Sequence, residues 1–210
     1  GGIVGIDLGL KDFVITSKGE KFNLPYQIFE KEQKITRLER KRERKRERNP
    51  GWKNSNRYQK LCKQIARKKR SKKRLREQTH YEIIHKIINT YSPRIICVET
   101  LSVKNMMQNK NLALSIGFQG WHAFVAKLQH KCDERGISLI KIDQWFPSSQ
   151  LCSNCGFKNK KVKDLNIRKW ICPQCNSSHN RDINAAKNIA KEGFMQFQKK
   201  IQLSMKRTKI

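Results

Sequence analysis

Acidic side chains are scarce in this 210-residue sequence: 17 Asp and Glu stand against 47 Lys and Arg, a formal charge of +30. With an isoelectric point near 10.2, that excess points to a polyanionic partner and to salt-dependent binding, and nucleic acid is the expected one. Also missing is any apolar run of about 18 residues, and there is no lipidation motif, so a membrane role is not expected. Nothing resembles a secretory signal. The seven cysteines are therefore expected in a cytosol, where disulfides seldom persist. An initiating methionine is lacking too: the chain opens Gly1-Gly-Ile-Val4 and reads as a piece of something longer. A chain of this length can bury one main core plus a small metal-stapled module.

What is present is organised around one stretch. Cys152-Ser-Asn-Cys155 and Cys172-Pro-Gln-Cys175 stand 16 residues apart, directly ahead of His179-Asn-Arg-Asp182-Ile-Asn-Ala-Ala186. Two C-x-x-C knuckles at this spacing fit a four-thiolate tetrahedral zinc site, structural because four protein ligands leave no open position. Disulfide pairing is possible on counting alone, and redox chemistry would suit one such motif rather than two matched ones. Cys62, Cys97 and Cys132 fall in apolar or helical contexts and read as small hydrophobes.

Along the chain, Ile3–Gly9, Phe13–Thr16 and Lys21–Leu24 read as strands of a meander, with Ser17-Lys-Gly-Glu20 as a turn. Asp7 falls at the end of the first. From Lys31 to Arg76 there are 22 basic residues against four acidic ones, a local net of +18. Helix-forming residues run through this segment with a break at Asn49-Pro50-Gly51, so two basic helices are expected. They are read as a phosphate-gripping arm, with Lys68, Lys69, Arg70, Lys72, Lys73 and Arg74 as its densest cluster, rather than as a solvated hairpin. Ser92-Pro93 closes the second helix. Arg94–Glu99 is a continuous apolar run that suits a buried strand ending in an acid. Lys104–Asn111 reads as a loop, Trp121–Cys132 as a helix stopped by Gly136, and Ile137–Ile142 as a strand. A short helix is expected over Asn184–Ala190, followed by a basic amphipathic tail.

The order strand, strand, strand, helical insertion, strand, helix, strand, zinc insertion, helix matches an RNase H-like α/β fold with a mixed sheet. The boundaries expected are a core over 1–146 with the basic insertion at about 26–90, a zinc ribbon over 147–178, a final core helix over 179–195 and a tail over 196–210. Asp7, Glu99 and Asp182 then fall at two strand ends and a helix start. Carboxylates converging from separate elements can hold two Mg²⁺ or Mn²⁺ ions about 3.5 to 4 Å apart, clamping the attacking water and the leaving oxygen of a phosphodiester. Hard oxygen donors suit these ions, as soft cysteines suit zinc. Taken singly, Asp7 is equally a turn residue, Glu99 a solvated strand end and Asp182 a helix cap.

Gly5-Ile-Asp7-Leu-Gly9, Glu99-Thr-Leu-Ser-Val-Lys-Asn-Met106, Ser115-Ile-Gly-Phe-Gln-Gly-Trp121, Pro147-Ser-Ser-Gln-Leu-Cys152 and His179-Asn-Arg-Asp182 together resemble the RuvC-like nuclease region of the TnpB (OrfB) family. These transposon-encoded proteins are related to type V CRISPR effectors. The resemblance implies an RNA-guided, Mg²⁺-dependent DNA endonuclease with DNA and guide RNA as partners. It puts Asp7, Glu99 and Asp182 on the catalytic triad and the four cysteines on the target-nucleic-acid-binding ribbon. It also implies that the guide is recognised by an amino-terminal half that this chain does not contain, so that the fragment alone should cut little. Thr100, Phe118 and Asn180 depart from the usual family residues without touching the triad. The rival readings are a zinc-ribbon nucleic-acid binder whose nuclease activity is lost, and a strand-transferring transposase.

Overall fold

A computed structural model describes residues 2–48, 50–101 and 117–207. The loop expected over Lys104–Asn111 lies outside the described residues. The chain divides into two compact units, Gly1–Asn23 with Ile84–Ile210, and Leu24–Ile83.

The larger unit is built on five strands, β1 (Ile3–Asp7), β2 (Val14–Thr16), β3 (Lys21–Phe22), β4 (Ile95–Glu99) and β5 (Ser138–Ile142), in the order β3-β2-β1-β4-β5. β1, β4 and β5 are parallel, while β2 runs antiparallel to both of its neighbours. The continuous apolar run of β4 is explained by its position: it is a central parallel strand, and Ile95, Ile96, Cys97 and Val98 are all buried. The helices α3 (Trp121–Glu134) and α4 (Arg181–Arg207) pack in this unit. In α3 the buried Trp121, Phe124, Leu128 and Cys132 recur at three- and four-residue steps, and Phe124 meets Phe13 edge-on at 5.1 Å. Ile189 of α4 shares a core cluster with Ile95, Cys97, Ile140 and Ile142.

The final helix corrects one expectation. α4 does not stop near Ala190 but runs on to Arg207. Gly193 lies inside it, where the helix crosses β4 closely: a Cβ there would lie 2.7 Å from Cys97 Cβ. Gly5 plays the matching part on β1, where a Cβ would run into the Ala186 carbonyl and lie 2.7 Å from Ala190 N. Small residues on both surfaces let α4 lie almost on the sheet.

The second unit contains α1 (Tyr26–Arg48), a 3₁₀ turn (Trp52–Asn54) and most of α2 (Asn56–Tyr91). Its buried apolar side chains are few and regularly spaced, Ile28 and Ile35 on α1 and Leu61, Ile65 and Ile83 on α2; charge occupies most of the other positions. The last turns of α2 belong to the larger unit. There Tyr91 Oη donates to Glu20 Oε2 at 2.8 Å and Lys86 Nζ lies 2.7 Å from Glu20 Oε1. Among the described residues no helix is long and apolar enough to cross a membrane.

Candidate functional site

Asp7 and Glu99 close two neighbouring parallel strands whose register runs Gly5 with Cys97 and Ile6 with Val98. One residue further, both carboxylates leave the sheet at the same edge. Asp182 reaches them from the first turn of α4, the helix packed over Gly5. Burial, followed by the charges of Glu99 and Asp182, pushes the Asp7 carboxyl up to about 7; the Arg181 charge and the Leu8 amide oppose the shift. Glu99 is likewise raised to about 7 by burial, against a hydrogen bond from Ser148 Oγ to its Oε2 at 3.3 Å. Glu99 also lines a cleft of about 220 Å³ with Leu8, Thr100, Trp121, His122 and Lys141. The charges of Glu99 and Asp182 thus both act on Asp7.

Asp182 is not the cap of its helix. Asn180 Oδ1 accepts from the amides of Asp182 and Ile183, both at 3.2 Å, and so takes the capping role. The Asp182 carboxylate remains available and meets Arg168 Nη1 at 3.5 Å. Arg168 comes from the segment between the two cysteine knuckles, so the ribbon adds a positive charge to the acidic cluster.

Among the described residues, the four sulfurs of Cys152, Cys155, Cys172 and Cys175 form the one set of metal-type ligands whose atoms all lie within 4.8 Å of one another. The carboxylates of Asp7, Glu99 and Asp182 are not drawn together that tightly. The knuckles are alike in backbone: Gly156 N donates to Cys152 O and Asn176 N to Cys172 O, each at 2.9 Å. Gly156 and Asn176 take equivalent left-handed conformations, φ 81° and 55°. Hydrogen bonding with the Ser177 side chain and backbone leads the effects that lower the Cys175 thiol to about 6, while the neighbouring Cys155 thiol is raised to about 12, so the sulfurs of the cluster titrate together. Cys97 and Cys132, by contrast, are buried core thiols pushed up to about 12.

Several supporting residues have no role in the sequence reading, although His179 and Asn184 lie inside the motif around Asp182. His179 Nε2 sits 3.0 Å from Cys152 Sγ, with the Trp170 ring 4.7 Å away. Burial lowers its pKa, so the neutral ring serves as a partner to the sulfur rather than as a cation. Asn184 and Asn188, one turn apart on α4 and both buried, bind the ribbon to the core. Asn184 accepts from Ser153 N at 2.8 Å and donates to Leu151 O at 2.7 Å, and Asn188 donates to Ser148 O at 2.8 Å and to Leu151 O at 2.7 Å. An asparagine at i and i+4 behind an acidic helix start is the only sequence trace of this clamp.

In the separate helical unit the expected basic cluster is sorted by its partners. Lys69 pairs with Glu39 at 2.6 Å, Lys72 with Glu32, and Lys73 approaches Glu77 at 4.0 Å. Arg70 and Arg74 are exposed, while Lys68 is half-buried.

Comparison with known proteins agrees with these features. The family described as Probable transposase (OrfB_IS605) matches residues 1–110, and the domain described as Cas12f1-like, TNB domain matches residues 121–189. A Streptomyces pristinaespiralis protein named "Putative RNA-guided DNA endonuclease" is 33% identical over 91% of this chain and 45% of its own length. The TnpB-like protein L79 of Acanthamoeba polyphaga mimivirus is 28% identical over 90% of this chain and 37% of its own. This chain thus spans less than half the length of these relatives. In fold, it resembles a chain in the cryo-EM structure of a Cas12f1–sgRNA–target DNA complex, with a TM-score of 0.61 and 20% identity over 90% of this chain and 49% of that one. By its sequence match over more than half its length, the chain belongs to the OrfB/IS605 probable transposase family, whose relatives include the TnpB-like proteins.

Proposed function

We propose that this chain is the metal-dependent nuclease region of an RNA-guided DNA endonuclease, in which Asp7, Glu99 and Asp182 hold Mg²⁺ or Mn²⁺ and a DNA phosphodiester is hydrolysed beside them. The observation that carries this reading is the Asp7 carboxyl, pushed up to about 7 first by burial and then by the charges of Glu99 and Asp182. A buried acid raised in this way by two others favours a divalent cation, and the all-oxygen donor set selects a hard ion. When bound, such ions lower the pKa of a water and neutralise charge on the leaving oxygen. The remaining work belongs to the protein. Asp7 and Glu99 present donors from adjacent strand ends, Ser148 orients Glu99, Asn180 relieves Asp182 of capping, and Arg168 brings positive charge suited to a phosphate.

The strand order β3-β2-β1-β4-β5 with β2 alone reversed supports an RNase H-like, RuvC-like reading of the sheet. The cysteine cluster supports zinc as the structural ion of a ribbon over 147–178 that contacts target nucleic acid. The basic helical unit supports guide RNA and DNA as partners, as do the names of the relatives. Recognition of the guide is assigned to the portion of those relatives that this chain does not span. Strand transfer would use the same acids, and the family description as a transposase favours keeping it as the second reading; joined rather than free cut ends would identify it. The test of the metal centre is a Mn²⁺ titration of the chain followed by electron paramagnetic resonance. High-affinity Mn²⁺ should be lost together in Asp7→Ala, Glu99→Ala and Asp182→Ala; wild-type binding in all three would overturn the proposal.

A further inference from the structure

The helical unit contains a cleft of about 220 Å³ whose lining is entirely basic or hydroxylic: Lys31 and Lys34 from α1, and Arg67, Lys68 and Ser71 from α2. Its surroundings make this composition informative. On neighbouring turns Glu32 is already used by Lys72 and Glu39 by Lys69, and Glu30, the remaining acid at this end of α1, neither lines the cleft nor forms an ion pair with its cations. No carboxylate is recorded within ion-pair distance of Lys31, Lys34, Arg67 or Lys68 among the described residues. Lys31 Nζ donates instead to Ser71 Oγ at 3.0 Å, a neutral contact between the helices that leaves the Ser71 proton able to donate outward. Lys31 and Lys68 are both half-buried, so two cations lining the same cleft are partly withdrawn from water without a counter-charge.

Four cations converging without an acid make an anion site. We propose that this cleft seats a phosphodiester group of a bound nucleic-acid strand, with Lys31, Lys34 and Lys68 as point charges, the Arg67 guanidinium spanning two phosphate oxygens, and Ser71 donating a hydroxyl. This deepens the nucleic-acid reading above and rests on it for its partner, though not on cleavage. A strand is favoured over a lone anion because the same unit carries exposed Arg70 and Arg74 beyond the cleft, in position to follow successive phosphates. The cleft therefore separates the lysines of the basic cluster into two kinds: Lys68 grips the ligand, whereas Lys69 and Lys72 hold α1 to α2.

That division is testable at constant charge. Binding of a single-stranded DNA oligonucleotide, and of RNA of the same sequence, is measured against salt for the wild-type chain, for Lys34→Gln/Arg67→Gln and for Lys69→Gln/Lys72→Gln. Each single-strand phosphate contact contributes roughly 0.7 to the slope of log K against log [salt]. The cleft variant should flatten the slope by about one, and the control, with the same loss of charge, by less than half as much. Equal loss in DNA and RNA identifies the phosphodiester itself, and a loss confined to one of them assigns the seat to that strand. Equal slopes for the two variants, or no change in the cleft variant, would overturn the proposal in favour of a diffuse charge field. Competition by polyglutamate as effective as by the oligonucleotide would overturn it in favour of an acidic protein partner. Circular dichroism checks that both variants retain their helices. Because only binding is read, an inactive nuclease centre leaves the result interpretable.

Discussion

Asn184 accepts a hydrogen bond from the Ser153 amide at 2.8 Å while its own amide donates to the Leu151 carbonyl at 2.7 Å. Two residues after Asp182, one buried side chain thus joins the first cysteine knuckle to the helix that carries an acid of the proposed centre. Asn188 repeats the contact one turn later and extends it to Ser148, whose hydroxyl reaches Glu99. Order in the ribbon and the placement of two acids are mechanically linked.

Asn184→Ala should therefore do more than remove a surface amide. It leaves the buried Ser153 N–H without a partner, a loss worth about 1–3 kcal/mol, and should speed zinc release as well as lower stability. Urea unfolding and the rate of zinc capture by a chromophoric chelator check both. Asn184→Asp should not rescue, since it keeps the acceptor but loses the donor to Leu151 and buries a charge. Rescue by Asp would mean that the Leu151 contact contributes nothing.

Zinc content follows from the sulfur cluster. The reduced, freshly purified chain should hold about one zinc, because a four-thiolate site contributes its binding energy to folding. Cys172→Ser should lose the ion, whereas Cys97→Ser and Cys132→Ser, at core thiols outside the cluster, should retain it. Elemental analysis distinguishes them; zinc retained in Cys172→Ser would argue against the four-ligand site.

The raised carboxyls give a pH dependence with a definite sign. Asp7 and Glu99 are held at about 7 in the folded chain, above their ordinary values of 3.8 and 4.5. Folding therefore favours their protonated forms, and the metal-free chain should lose stability from this pair as pH rises from about 4.5 through 7. A divalent ion must displace those protons, so Mg²⁺ affinity should rise by about tenfold to a hundredfold per unit below pH 7 and level off above it. Calorimetry in two buffers of different ionisation enthalpy measures the protons released. A flat affinity between pH 6 and 8 would show that these two groups do not receive the ion.

Much of this was legible before any coordinates because the residues concerned are local signals. The apolar run Ile95–Val98 marks a strand buried on both faces, and the paired C-x-x-C motifs bring their own geometry. Features that depend on distant segments meeting were not legible. Arg168 becomes relevant only when the ribbon folds back on Asp182, and the need for a glycine at 193 exists only because Cys97 lies against it. Likewise, the basic cluster at 68–74 is uniform in sequence; the pairing of Lys69 and Lys72 with acids about 30 to 40 residues earlier is what separates structural from binding lysines.

The most direct test of the central claim is cleavage of a guide-matched plasmid by this chain joined to the amino-terminal portion and guide RNA of a close relative. Cutting should require Mg²⁺ or Mn²⁺ and fail in Ca²⁺. Asp7→Ala, Glu99→Ala and Asp182→Ala should each reduce it by more than about a hundredfold while nucleic-acid binding, measured on the same preparations, stays at the wild-type level. Cleavage that survives Asp7→Ala, or losses that are partial and additive across the three variants, would contradict a single shared metal centre.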